Sequence, residues 1–220
     1  RDHCVTGVQT CALPILDTIT AAGGAAISIQ ADLRDRNQVT ELFVKAHAAF
    51  PNAQLDVCVN NAGIIRDALA LKMAPSDWQD VIDLDLSAVF YCSQAAFSHM
   101  FKHRKGRIIN VSSIVGQIGN PGQANYAAAK GGVIALSRSL AKEFAKRNIC
   151  VNTVCPGFVE STMTAHHTSR EDIIKQIPLN RLGKPEEVAG LVRFLALDPA
   201  AAYMTGHSFN IDGGVAIGAT

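Results

Sequence analysis

The sequence has no excess of either charge, no long apolar run and no closely spaced cysteine pair, and each absence removes a class of function. Twenty basic side chains stand against nineteen acidic ones, a formal net charge of +1. The molecule as a whole therefore presents no field that would draw a nucleic acid or a membrane surface. Apolar residues make up 48% and charged residues 18%, which excludes disorder. No stretch approaches the roughly 18 residues of a membrane span, and the first residues lack the charged and apolar regions of a secretory signal. The six cysteines include no C-x-x-C pair, and Cys58, Cys92, Cys150 and Cys155 lie inside apolar segments. That usage indicates buried free thiols in a reducing compartment, with neither a disulfide framework nor a metal site. Small-molecule chemistry in one domain is what 220 residues leave.

Glycine is missing where it would be most informative. The opening "VTG" would suit a strand running into a phosphate-binding turn, but such a turn needs several closely spaced glycines. After Gly7 the next glycine is Gly23. Pro14 adds an interruption for any long helix begun there.

What is present is a regular alternation. Short apolar runs near residues 26–30, 55–59, 107–111, 149–154 and 207–211 read as strands buried on both faces. Between them, helical patterns cover about 36–50, 76–102 with a break, 124–147 and 186–197, the last opened by Pro185, Glu186 and Glu187 in the order a helix start favours. The expectation is an α/β fold, a doubly wound Rossmann-type parallel sheet with helices on both faces. In such a sheet the loops after the strands gather along one edge, where ligands bind. Those loops carry Asp32, then Asn60 to Gly63, then Ser112 and Ser113, then Cys155, Pro156 and Gly157.

Within "SSIVGQIGNPGQANYAAAKGG", Tyr126 precedes Lys130 by one helical turn, so the two side chains share a face. A nearby ammonium favours phenolate, and on this reading Lys130 lowers the tyrosine pKa and makes Tyr126 a usable acid or base. A core ring beside a solvated amine has the same spacing. Ser113 could give a carbonyl oxygen a second hydrogen bond, although a serine at a strand exit is also an ordinary cap.

Ser113, Tyr126 and Lys130, with "NNAG" upstream and "CPGFV" downstream, resemble the short-chain dehydrogenase/reductase family. The likeness runs from about Asp17 to Ile217. Longer segments such as "VNTVCPGFVESTMT" and "IPLNRLGKPEEVAGLVRFLA" are similar to its 3-oxoacyl-[acyl-carrier-protein] reductases of plastid and cyanobacterial kind. The resemblance implies an oxidoreductase that uses NADPH, with NADH left open, to reduce a 3-oxoacyl thioester carried on acyl carrier protein in fatty-acid synthesis. It implies that Tyr126 protonates the carbonyl oxygen, Ser113 holds it, and Lys130 bonds the nicotinamide ribose. Asp32 and Leu33 would border the adenine, Asn60, Ala62 and Gly63 would line the ribose and diphosphate path, and Pro156, Gly157 and Val159 would meet the nicotinamide amide. A lid over 160–183, a homotetramer, and a bacterial cytoplasm or plastid stroma also follow from it. The stripe Val133, Leu136, Leu140 and Phe144 fits either an interface or the core.

One position departs from the pattern. Asp85 stands where the family commonly has an asparagine that helps hold a relay water, and some acetoacetyl-CoA reductases are similar to this chain in having Asp there. Asp85 therefore joins the catalytic set, and acyl-CoA substrates compete with carrier-bound ones. A basic cluster of Lys102, His103, Arg104, Lys105, Arg107, Lys146 and Arg147 suggests that Arg104 and Arg147 dock an acidic carrier. Finally, a strand, a glycine-rich turn and a second strand cannot fit into the sixteen residues before Asp17, since a βαβ unit takes about 30. Val5 to Ile15 can be spelled by one frame of a common sequencing adapter. Residues 1–16 are thus expected to be non-native, 17–220 a reductase domain lacking those elements, and cofactor binding weak. A catalytically silent binding or assembly subunit is the alternative.

Overall fold

Apolar, β-branched runs and the turn residues between them set the architecture, seen here in a computed structural model that describes residues 3–6, 12–160 and 170–218. In chain order it comprises β1 (His3–Thr6), α1 (Ala12–Ala21), β2 (Ala25–Ser28), α2 (Arg36–Ala49), β3 (Val57–Asn60), α3 (Pro75–Ile82) and α4 (Ala88–Met100). There follow β4 (Gly106–Val111), α5 (Val115–Ile118), α6 (Ala124–Phe144), β5 (Ile149–Pro156), α7 (Arg170–Lys175), α8 (Pro185–Leu197) and β6 (Ser208–Ile211).

Every strand pairing is parallel. β3, β4, β5 and β6 form one sheet in sequence order, and β1 and β2 pair separately, with no ladder joining the two sheets among the described residues. Alternation along β4 builds the layers. Ile108 faces Met100, Leu140, Phe144 and Val151 beneath α4 and α6, and Ile109 faces Val154 and Leu195 beneath α8. Each such isoleucine, about 1% exposed, contributes on the order of 2 kcal/mol by leaving water. The stripe on α6 resolves accordingly: Val133, Leu140 and Phe144 are buried in this chain's own core and Leu136 packs against it.

The helix break expected within 76–102 is a change of winding. Asp83–Ser87 form a π turn, closed by the Ala88 N–H donating to the Asp83 carbonyl, and the chain stays helical through it. The expected lack of strands ahead of residue 25 also needs correction, because β1 forms and pairs with β2 in register His3 to Ala25. Pro14 does not prevent α1, since it lies in the first turn, where the missing N–H has no intrahelical partner to lose. α1 runs across the expected boundary at residues 16 and 17. Gly7 lies outside the described residues, as does 161–169 of the expected lid.

Candidate active site

The carboxyl ends of β3, β4 and β5 open onto a cleft of about 2330 Å³ whose lining runs on past Phe43 and His47 to Asp56, His99 and His103. Ser113 leaves β4, and α6 begins eleven residues later. At that helix start Asn125 is fully buried. Its side-chain amide donates to the carbonyls of Arg66 and Asp77 at 2.9 and 3.1 Å, and its oxygen accepts the Tyr126 N–H at 2.8 Å. Tyr126 is thereby aimed into the cleft from a fixed first turn. Ser112 fixes the next turn, its hydroxyl donating to the Lys130 carbonyl at 2.7 Å. Glycine is required at Gly116, where a side-chain carbon would meet the Gly131 nitrogen and the Lys130 carbonyl carbon at 2.6 Å. That contact lets α5 and α6 approach, so that Ser113 and Tyr126 come into hydrogen-bonding reach.

Lys130 is buried, and its Nζ has three neighbours. It donates to the Val111 carbonyl at 3.2 Å, lies 3.3 Å from Asp85 Oδ2, and sits 5.4 Å from the centre of the Tyr126 ring. Asp85 is fully buried, delivered inward by the π turn, and its Oδ1 accepts the Ile64 N–H at 2.8 Å. π turns inside helices recur at functional sites because the extra residue redirects side chains. Ser113, Tyr126, Lys130 and Asp85 are therefore one cluster.

The net direction at the tyrosine is upward. Burial first, then the Asp85 charge, pushes the Tyr126 phenol up to about 12, while the Ser113 hydrogen bond works the other way by favouring phenolate. The Asp85 carboxyl is itself raised by burial, against the pull of the Lys130 ammonium.

Of the expected binding residues, Asp32, Leu33, Ala62, Gly63, Pro156, Gly157 and Val159 all border the cleft. Asn60 does not. Its amide donates to Ser93 and to Asn110 at 3.1 and 2.7 Å, and Asn110 continues to Ser137 on α6 at 2.8 Å, a polar chain through the core. Asn61 lines the cleft instead. At Asp32 the carboxylate accepts from the Arg34 guanidinium at 2.7 Å, which lowers its pKa. Of the basic cluster, His103 lines the far part of the cleft, and Arg104 and Arg147 lie at the opposite end of the strands from Tyr126. Arg104 donates to the Lys146 carbonyl and Arg147 stacks 3.7 Å over Phe101, beside the first residues of β4 and β5. The length of a strand, roughly 20 Å, separates Arg104 and Arg147 from Tyr126.

Cys58, Cys92, Cys150 and Cys155 are free. Burial pushes the thiols of Cys58, Cys92 and Cys155 up to about 12, 11 and 11, the behaviour of unreactive core cysteines. Among the described residues no helix is long and apolar enough to cross a membrane, and no three His, Cys, Asp or Glu side chains could hold a metal ion.

A parallel α/β sheet with a Ser, Tyr and Lys cluster at its carboxyl edge defines a class of oxidoreductase, and the family model described as enoyl-(acyl carrier protein) reductase matches residues 4–216. The chain belongs to that family, within the short-chain dehydrogenases/reductases. It is 50% identical over 207 residues to the 3-oxoacyl-[acyl-carrier-protein] reductase of Synechocystis sp., covering 94% of this chain and 83% of that one. It is 48% identical over 188 residues to the 3-oxoacyl-[acyl-carrier-protein] reductase FabG of Thermotoga maritima, 84% and 75% of the two chains. Nodulation protein G of Rhizobium meliloti is 43% identical over 216 residues, 97% and 87%.

Proposed function

We propose that the chain reduces 3-oxoacyl thioesters on acyl carrier protein to 3-hydroxyacyl thioesters, using NADPH. The observation that carries this reading is the convergence of the Ser113 and Tyr126 hydroxyls, in mutual hydrogen-bonding reach, at the cleft that Pro156 to Val159 also border. Two such donors suit the oxygen of a carbonyl, which gains negative charge when hydride reaches its carbon. The relatives named as 3-oxoacyl-[acyl-carrier-protein] reductases support the same substrate class.

The residues present fit a nicotinamide cofactor at its reactive end. Lys130 has three donors, of which one goes to Val111 and one faces Asp85, leaving one for a ribose hydroxyl. Gly157 packs so tightly on Asp212 that a side-chain carbon would lie 2.7 Å from its Cα, which holds the Pro156 to Val159 backbone at the cleft wall. At the diphosphate end the described residues offer the Ala62 and Gly63 backbone. When bound, the nicotinamide supplies the hydride. Tyr126 then gives its proton to the substrate oxygen, and Ser113 donates to that oxygen throughout. Burial and the Asp85 charge push the Tyr126 phenol up to about 12, which favours the protonated state that reduction requires.

A homotetramer, a cytoplasmic or plastid setting, and a non-native segment at residues 1–16 ahead of a domain over 17–220 belong to this proposal. Genomic sequence upstream of the gene decides the last: a native reading frame running through these codons refutes it. For the activity, the purified chain, alongside a version whose residues 1–16 are replaced by the corresponding segment of the Synechocystis relative, is incubated with NADPH and either 3-oxobutanoyl or 2-butenoyl carrier protein. Mass spectrometry is expected to find 3-hydroxybutanoyl product from the first and none from the second. Reduction of the 2-butenoyl substrate alone, or of neither by the completed version, overturns the reading.

A further inference from the structure

The turn at 212–216, which follows β6, touches two separate walls of the cleft. On one side, Gly157 donates its N–H to the Ile211 carbonyl at 3.0 Å and lies so close to Asp212 that a side-chain carbon would come 2.8 Å from the Asp212 Cβ. On the other, the Gly213 carbonyl accepts the Leu179 N–H at 3.1 Å, and side-chain carbons on Gly213 and Gly214 would lie 2.7 and 3.1 Å from Ile177 and Pro178. Ile177 forms a cluster with Ile173 and Leu182, against which Phe158 and Val215 pack. Of these, Phe158 and Ile173 border the cleft.

One carboxylate gives this turn its shape. Gly213 and Gly214 have φ of +64° and +95°, a conformation that glycine adopts freely and leaves as freely, because it has the most backbone freedom to lose. Asp212 closes the turn, with Oδ1 accepting the Gly214 N–H at 3.0 Å and Oδ2 accepting the Ala216 N–H at 2.8 Å. Hydrogen bonds to a carboxylate are among the stronger ones. Without them the two glycines would let the Gly213 carbonyl turn away from Leu179, and Val215 leave the isoleucine cluster.

We propose that Asp212 is a positioning residue whose carboxylate sets two walls of the cleft at once: the Pro156 to Val159 backbone, and the 173–182 segment that bears Ile173. The walls are joined to each other again where Gly183 donates to the Phe158 carbonyl and Glu160 to the Gly183 carbonyl, both at 2.9 Å. A turn that clamps both of them therefore fixes the spacing between them. The consequence for the cofactor rests on the reading of 156–159 as the nicotinamide wall. The coupling of the two segments through Asp212 is a property of the folded chain and is measured without ligand.

The test is hydrogen–deuterium exchange, read by mass spectrometry, on the unsubstituted chain, Asp212→Ala and Asp212→Asn. In Asp212→Ala, peptides covering 156–160 and 177–183 are expected to exchange about tenfold faster, along with 212–216, the usual consequence of losing a hydrogen bond to a charged group. Peptides from β4 and the middle of α6 are expected to keep their rates. Asp212→Asn retains one acceptor and turns a donor toward the other N–H; it is expected to show a smaller rise in the same three segments, and it serves if the alanine variant fails to fold. Faster exchange confined to 212–216, or spread equally over β4 and α6, overturns the proposal. As a second readout, nicotinamide fluorescence follows NADPH binding to the version with residues 1–16 replaced, and Asp212→Ala is expected to weaken it by about tenfold. An unchanged affinity overturns the role of the turn at the nicotinamide wall. Failure of that version to bind NADPH at all would count against the cofactor reading, and the exchange pattern would still decide the coupling.

Discussion

A hydroxyl and a phenol converge here because two different pieces of local chemistry hold them. Ser113 is held by the strand exit, where its Oγ accepts the Val115 N–H at 3.2 Å, and Tyr126 by the buried Asn125 at the first turn of α6. Replacement of Ser113 by alanine is expected to lower kcat by about 10²-fold to 10³-fold, the loss typical of one donor to a developing oxyanion, with a smaller change in KM in steady-state kinetics. An effect confined to KM would mean the serine only binds. Much of this cluster was legible in the sequence, since the four-residue spacing of Tyr126 and Lys130 on a helix fixes a shared face. The direction of the tyrosine shift was not. It depends on burial and on Asp85, which is distant in sequence and turned inward by winding that no spacing rule reveals. The "NNAG" segment misled in a related way: strand alternation sends Asn60 into the core network and Asn61 to the cleft. The signal that could have separated them was the period of two that every strand imposes.

At the scale of elements, the site depends on how closely α5 and α6 lie. With Gly116 and Gly131 in backbone contact, Gly116→Ala is expected to cost about 1–3 kcal/mol, the usual range for overpacking a filled interior. Because the contact is to the main chain around Lys130, activity should fall along with the thermal midpoint in a melting and assay series. A variant of unchanged stability and activity would show that the helices can separate freely. Element positions were readable from apolar runs and from turn residues, and α8 begins at Pro185 as its proline and acidic residues indicate. The beginning of the chain was read less well. Sixteen residues are too few for a strand, a turn and a second strand, yet a single four-residue strand needs only a free edge, and β2 offers one to β1.

Across the whole molecule, the Ser113, Tyr126 and Lys130 cluster and the Arg104 and Arg147 side chains lie at opposite ends of the strands. The cleft collects the strand exits, and the lysines and arginines at the ends of α4 and α6 surround the strand starts, with Lys105 paired to Asp56 at 3.0 Å. Reversal of both Arg104 and Arg147 to glutamate is expected to raise the KM for a carrier-bound substrate by about tenfold if these residues dock an acidic carrier; an unchanged KM would overturn that docking. Sequence order showed those charges close together, but not which end of the strands they occupy relative to the site, because that needs the sheet's direction. The account as a whole stands on Tyr126 as the proton donor to a 3-oxoacyl oxygen. Its most direct test is the rate of NADPH absorbance loss with a 3-oxobutanoyl thioester, compared between the chain with its first sixteen residues replaced as above and the same chain carrying Tyr126→Phe. The account predicts turnover that depends on the thioester and falls by about 10²-fold to 10⁴-fold in the phenylalanine variant; equal rates in the two would contradict it.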